Sequence, residues 1–497
     1  MVASGAAPAN YADGNPFVGL PGQRSRSTRV TQVMGEALND PQVPTYGAGY
    51  GTGYAAGYGA SYDGAPMVSR QEPYVIAGAQ DSRAAANPPA AYGGGAASPT
   101  LQRELDEVMQ ERSAEVRVGG FVRSNNGEAG MSKMTEIDAP IEALIPAGDG
   151  KISLRATPVT LDAGRLGDDY SSNSRFGGGP VAATAQQAGL VGGAGKQRDS
   201  GVGLSVGYTM QGLSADIGTT PLGFEYSNVV GGVRLNGPID RGAGTWYSVD
   251  LSRRAVTDSL VSFAGARDDR TGQRWGAVTA TGVGGQIGMD NKDYGVYAYG
   301  SWRSLDGHNV ESNSRTEVGT GIYWNLTRET NRMLTAGLNL GAIFYDNNQR
   351  FFTYGHGGYF SPQQFYALSV PVTWAQRDGR FTYKLQGSVG LRHFKEDGAD
   401  YFPTSGGMQA AANAANRAVY GAPATYEGQS RTGVGYNLAA AGEYQLSPNL
   451  FLGGTMAMDN ATDYRQYVGG LYLRYAFYPQ TRPLDLPVNP YQSPYAR

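Results

Sequence analysis

Histidines stand at positions 308, 356 and 393 of a 497-residue chain that has three in all and no cysteine. A thiolate nucleophile, a Cys-ligated metal and a disulfide are therefore excluded, and no HExxH pair or carboxylate-histidine cluster offers a metal site or a triad. The segment FFTYGHGGYFSPQQFYALSVPV (351–372) sets His356 between glycines and aromatic rings, as an acid–base loop would. No carboxylate lies close to it in that stretch, and no second histidine is near in sequence. The next cluster, RHFKEDGAD, brings together His393, Glu396 and Asp397 in an expected loop and reads better as a solvated charge group. Without an aligned nucleophile or acid pair, no enzyme is expected, and neither a cofactor nor a metal.

What must position such residues does not resemble a soluble enzyme core. The chain carries 74 Gly, and 33 Tyr against 15 Phe and 5 Trp. That inventory suits small side chains on long strands with rings at their ends. Basic and acidic residues nearly balance, 40 against 43, which argues against a nucleic-acid partner because phosphate binding needs a basic field. No apolar run reaches the length of a membrane-spanning helix. A transmembrane barrel stays open, since its strands need only every second residue apolar. The start MVASGAAPAN has no basic-then-apolar leader, so a fragment lacking its signal segment is expected if the mature protein crosses an inner membrane.

Four regions follow from texture. Residues 1–98 are rich in Gly, Ala, Tyr and Pro, as in YGAGYGTGYAAGYGASYDGAP (46–66), and read as a flexible linker, with a possible short helix at 27–41. LQRELDEVMQER, capped by Thr100, predicts a short periplasmic helix over 99–114. From 115 to 478 the pattern has period two. The tail 479–497, with four prolines in TRPLDLPVNPYQSPYAR, cannot continue a central strand; it either hangs in the periplasm or enters the lumen.

The alternation is clearest at 334–344, where Leu334, Ala336, Leu338, Leu340, Ala342 and Phe344 share one face against Thr335, Gly337, Asn339, Gly341 and Ile343. It recurs in YSVDLSRR (247–254), FTYKLQGSVGLR (381–392) and YVGGLYLRYAF (467–477). About sixteen such segments are counted: 115–124, 130–142, 151–163, 200–219, 226–235, 243–254, 257–266, 274–288, 292–303, 315–327, 331–345, 364–376, 380–392, 431–446, 449–457 and 464–478. GYTMQGLSADIG leaves room for a bulge or an extra hairpin inside 200–219. Short links at 289–293, 328–331, 375–380 and 446–449 alternate with longer ones at 304–314, 346–363, 393–430 and 458–463, and the gap 164–199 is also long. Same-face rings stand near both ends of strands, as Tyr294 with Trp302 and Tyr467 with Phe477. The expected fold is all-β, a transmembrane antiparallel barrel of about sixteen strands with both termini periplasmic, embedded in outer-membrane lipid.

A cylinder of that size is too wide for side chains alone to fill. Its expected lumen face includes Asp250, Arg254, Tyr297, Tyr299, Arg303, Asn339, Lys384, Gln386, Asn437, Glu443 and Arg474. This near-neutral wall of amides, hydroxyls and rings admits a hydrated polysaccharide but is permissive rather than diagnostic, and by itself fits a generic porin or a structural barrel better.

The segment YGHGGYFSPQQFYALSVPVTW (354–374) resembles the C-terminal outer-membrane domain of the cellulose synthase operon protein C family. KISLRATPVTLDAG (151–164), LSADIGTTPLGF (213–224) and RTGVGYNLAAAGEYQLSPNLFLGG (431–454) look like the same domain, as does VRVGGFVRSNNGEAGMSKMTEIDAPIE (116–142), so the likeness spans about 115–478. The resemblance implies export of a cellulose (β-glucan) chain across the bacterial outer membrane. It also implies partnership with other subunits of the cellulose synthase complex through periplasmic tetratricopeptide repeats that this sequence lacks. Tyr354, His356, Tyr359, Phe360 and Pro362 then fall in a long extracellular loop, where the rings can cover the mouth or stack on sugars. Pro221-Leu222-Gly223-Phe224 is expected in a periplasmic turn, with Asp216 at a strand end.

Overall fold

The computed structural model describes residues 105–106, 108–461 and 464–495. The linker expected over 1–98 and the helix at 27–41 lie outside the described residues; of the helix expected over 99–114, residues 105–106 and 108–111 are helical.

Sixteen antiparallel strands form one closed cylinder. They are β1 Glu115–Asn125, β2 in two pieces (Met134–Asp138 and Ile141–Ala147), β3 Gly150–Arg165, β4 Lys196–Met210, β5 Leu213–Thr219, β6 Val229–Asp240, β7 Thr245–Ala255 and β8 Gln273–Asp290. They continue as β9 Tyr294–His308, β10 Asn313–Arg328, β11 Arg332–Tyr345, β12 Gln364–Asp378, β13 Phe381–Glu396, β14 Gln429–Ser447, β15 Leu450–Ala461 and β16 Tyr464–Ala476. Closure is complete: β1 pairs with β16 from Glu115↔Ala476 to Asn125↔Gln466, leaving no free edge in the ring. Pro140, which has no N–H to give, divides β2, and β1 pairs with both pieces.

Alternation puts the greasy residues on the outside. Val249, Leu251, Val283, Ile287, Leu338, Leu340, Leu385, Leu391, Leu471 and Leu473 are all exposed, a continuous apolar belt that water would not tolerate and lipid requires. Tyr247, Tyr294, Trp324, Phe381, Tyr444 and Tyr475 ring its short-turn end, and Trp302, Tyr366 and Tyr467 the other. Among the described residues, no helix is long and apolar enough to cross a membrane.

The expected strand count is met, but two of the expected strands differ. Segment 200–219 is a hairpin: β4 and β5 fold back through Met210↔Leu213, with Gly212 at φ 77 taking a conformation that side chains resist. Segment 257–266 leaves the wall. Ser259 caps a short helix, Leu260–Phe263, whose four residues are all buried, so no polar face remains for a half-wet strand. The hairpin also reverses the chain direction, which moves 221–224 from the expected periplasmic turn to the opposite end. Two connections expected to be long are mostly strand, since β9 runs to His308, β10 starts at Asn313 and β15 reaches Ala461.

Turns at 148–149, 211–212, 241–244, 291–293, 329–331, 379–380 and 448–449 lie at the end where β1 begins and β16 finishes. The opposite end carries 166–195, 220–228, 256–272, 346–363 and 397–428, which pack into one cap. Phe176–Gly177 pairs in parallel with Phe352–Thr353, and Ala399–Asp400 pairs antiparallel with Thr425–Tyr426. Phe176, Leu260, Phe263, Trp275 and Phe352 form the cap's core, continuous with Met134, Val159 and Leu161 of the wall.

Candidate functional site

All eleven lumen candidates stand on inward rows, and most engage one another. Arg303 donates to Asp250 at 3.1 Å and to Ser252 Oγ at 2.9 Å. Arg254 forms a two-pronged ion pair with Asp216, which therefore serves the wall rather than a strand end. Glu443 accepts from Arg474 at 2.5 Å and from the Tyr472 hydroxyl at 2.9 Å, and the Arg474 guanidinium lies 3.8 Å over the Phe451 ring. Tyr297 donates to Asn339. Tyr299 stacks near Tyr297 at 6.5 Å between centroids and is only half-buried. Lys384, Gln386 and Asn437 are buried on the inner faces of β13 and β14.

The rings on this wall lie down on glycines of the adjacent strand. A Cβ added to Gly319 would sit 2.3 Å from Tyr299, one on Gly321 2.5 Å from Tyr297, and one on Gly295 2.3 Å from Tyr323. Those glycines are needed because the neighbouring rings occupy the space of a side chain. Trp246 and Tyr323 complete the cluster by donating to Asp290.

The loop 346–363 folds into the mouth instead of standing over it. His356 is wholly buried, its Nε2 donating to the Asp400 carbonyl at 2.8 Å, with Phe351 and Tyr426 edge-on at 5.2 and 5.8 Å. Burial holds its pKa down, to about 4. Tyr359 and Phe360 are buried against Val256, Leu305, Ile343 and Phe365, and Pro362 is buried beside them. Tyr354 is half-buried, edge-on to Trp275 at 6.1 Å. These rings fasten the loop to the barrel and cap, and all but Tyr354 are shut away from solvent.

Of the two courses open to the tail, the structure takes insertion. Arg377 and Thr382 donate to the carbonyls of Leu484 and Asp485, at 2.6 and 2.9 Å, near the short-turn rim. Tyr491 packs against Phe121 and Tyr472, with the guanidinium groups of Arg117 and Arg155 within 6 Å of its ring. Ser493 donates to Asp138, and Tyr495 meets Phe263 of the cap at 5.0 Å. Reading the sequence by alternation misses Tyr491, Ser493 and Tyr495, because an irregular proline-rich segment carries no periodicity. Recurring tyrosines beyond the last strand were the available signal.

A closed sixteen-stranded cylinder, greasy outside, polar inside and occupied by its own cap and tail, defines the class: an outer-membrane β-barrel whose first strand begins and last strand finishes at the periplasmic, short-turn end. Within that class the chain belongs to the cellulose synthase operon protein C family, whose C-terminal region, described as "Cellulose synthase operon protein C C-terminus", matches residues 132–478. It is 44% identical over 487 residues to "Cellulose synthase operon protein C" of Pseudomonas fluorescens (strain SBW25), covering 97% of this chain and 35% of that protein. The corresponding protein of Xanthomonas axonopodis pv. citri (strain 306) is 33% identical, covering 75% of this chain and 34% of its own length. This chain thus spans about a third of the length of these relatives. Among solved structures, a "Bacterial polysaccharide outer membrane secretin" aligns with TM-score 0.44 and 10% identity over 74% of this chain and 99% of that one.

Proposed function

We propose that this barrel is the conduit by which a linear β-1,4-glucan made at the inner membrane leaves the cell, and that it acts without catalysis. Family membership supports the substrate class. The observation that carries the reading is the state of the inward charges. Arg303 with Asp250, Arg254 with Asp216, Arg474 with Glu443 and Arg155 with Glu142 neutralise one another. A wall that cancels its own charge offers hydrogen bonds and ring faces without a field that would hold an ion, which suits a neutral polymer. In this reading the packed cap shuts the conduit, and the buried loop with His356, Tyr359 and Phe360 is the element that must leave the mouth. Contact with other synthase subunits falls to sequence N-terminal to the barrel.

Single-channel recording tests the reading. With the tail and the loop tip removed, long-lived open steps are expected, and cello-oligosaccharides should interrupt them more strongly than malto-oligosaccharides of equal length. Equal interruption by both, or steps that respond only to charged solutes, would favour a general porin.

A further inference from the structure

We infer that the helix preceding β1 is a latch on the root of the C-terminal tail, so that displacing this helix at the periplasmic face releases the tail from the lumen. This inference stands apart from the identity of the exported polymer. Asp106 and Gln110 are one helical turn apart and share a face, and Ser113 follows two residues past the last helical residue, Glu111. That face is turned to the tail, with Gln110 and Ser113 buried. The Gln110 side chain uses both of its ends: Nε2 donates to Thr481 Oγ1 at 2.9 Å, while Oε1 accepts the backbone N–H of Thr481 at 3.0 Å and of Arg482 at 3.3 Å. Its carbonyl accepts from Gln480 Nε2 at 3.3 Å. Ser113 Oγ accepts the Tyr478 N–H at 2.9 Å, and the Tyr478 hydroxyl donates to Asp106 at 2.7 Å.

The position of these bonds gives them leverage. Thr481 and Arg482 immediately precede Pro483, whose ring fixes its own φ and restricts the residue before it. Holding the two N–H groups ahead of that proline therefore sets the direction in which the chain enters the barrel. From there the tail reaches Tyr495, which abuts Phe263 in the cap at the other end. One segment thus connects a periplasmic helix to the underside of the extracellular cap, and its root is held by side chains of that helix. A partner that tilts the helix breaks the Gln110 bonds first.

Hydrogen exchange on the whole chain in lipid nanodiscs tests this. Gln110→Ala is expected to speed exchange about tenfold or more across 484–495, as well as at 478–482, because two or more bonds are lost together. The strands β1 and β16 should keep their protection. Gln110→Glu retains an acceptor for both N–H groups and should loosen the tail less. Faster exchange confined to 478–482, no change, or equal loosening by Glu and Ala would each overturn the latch. If Gln110→Ala fails to insert, as lost protection in β1 and β16 would reveal, Tyr478→Phe removes a single bond and must still raise exchange in 484–495, more weakly.

Discussion

His356 shows how far residue chemistry is legible. Its neighbours in sequence offer neither a carboxylate nor a second histidine, and the partner of its Nε2, the Asp400 carbonyl, is 44 residues away and invisible to local reading. The burial has a pH consequence with a definite sign. The folded pKa of about 4 lies below the ordinary histidine value of 6.5, so an opened loop binds more protons than the closed one between those values. Closure is therefore fully supported above about pH 6.5, weakens as pH falls toward 4, and loses on the order of 3 kcal/mol across the window. Opening events in planar bilayers should become more frequent on acidification through this range. His356→Gln, which cannot take up the proton, should give a flat profile over the same window.

Whole strands were easier to read than their neighbours. Long rows such as β11 and β13 announce themselves because one face meets lipid and the other a polar lumen, so every second residue is constrained. The hairpin at 210–213 was foreshadowed by Gln211-Gly212, yet alternation continues through it and conceals the reversal. The helix at Leu260–Phe263 is itself buried on all sides within the cap, where period two carries no information. That cap is held by a group no pattern reveals. Arg270, fully buried, donates to Asp268 at 2.9 Å and to the carbonyls of Asn173 and Phe176 at 3.0 and 2.8 Å, while Asp268 accepts the Gly178 N–H. Arg270→Ala leaves the Asp268 carboxylate buried without its cation, a loss of about 3–5 kcal/mol. The loss belongs to the cap, because these partners lie outside the main wall. Protease should then nick 166–195 and 256–272, while the heat-modifiable gel mobility of the barrel stays as in the wild type; a barrel that melts early would place the effect in the wall instead.

For the molecule as a whole, two obstructions act on one cylinder. On the proposed reading, the cap with loop 346–363, packed at the mouth, closes it across the current path, whereas the tail, bound along the inner wall, narrows the bore. Obstructions in series do not add: while the mouth is shut, widening the bore changes conductance little. Deleting 484–497 alone should leave the step size nearly unchanged. It should nevertheless raise the frequency of opening, because Tyr495 no longer braces Phe263. Deleting 350–361 alone should give steps limited by the tail, and the double deletion should exceed the sum of the two increments, approaching the conductance of a water-filled barrel of this strand number. Recording the four proteins in the same salt decides the matter. Full-sized steps from the tail deletion alone would mean that the cap is already permeable and that the tail, tethered at its root to Gln110, is the barrier itself.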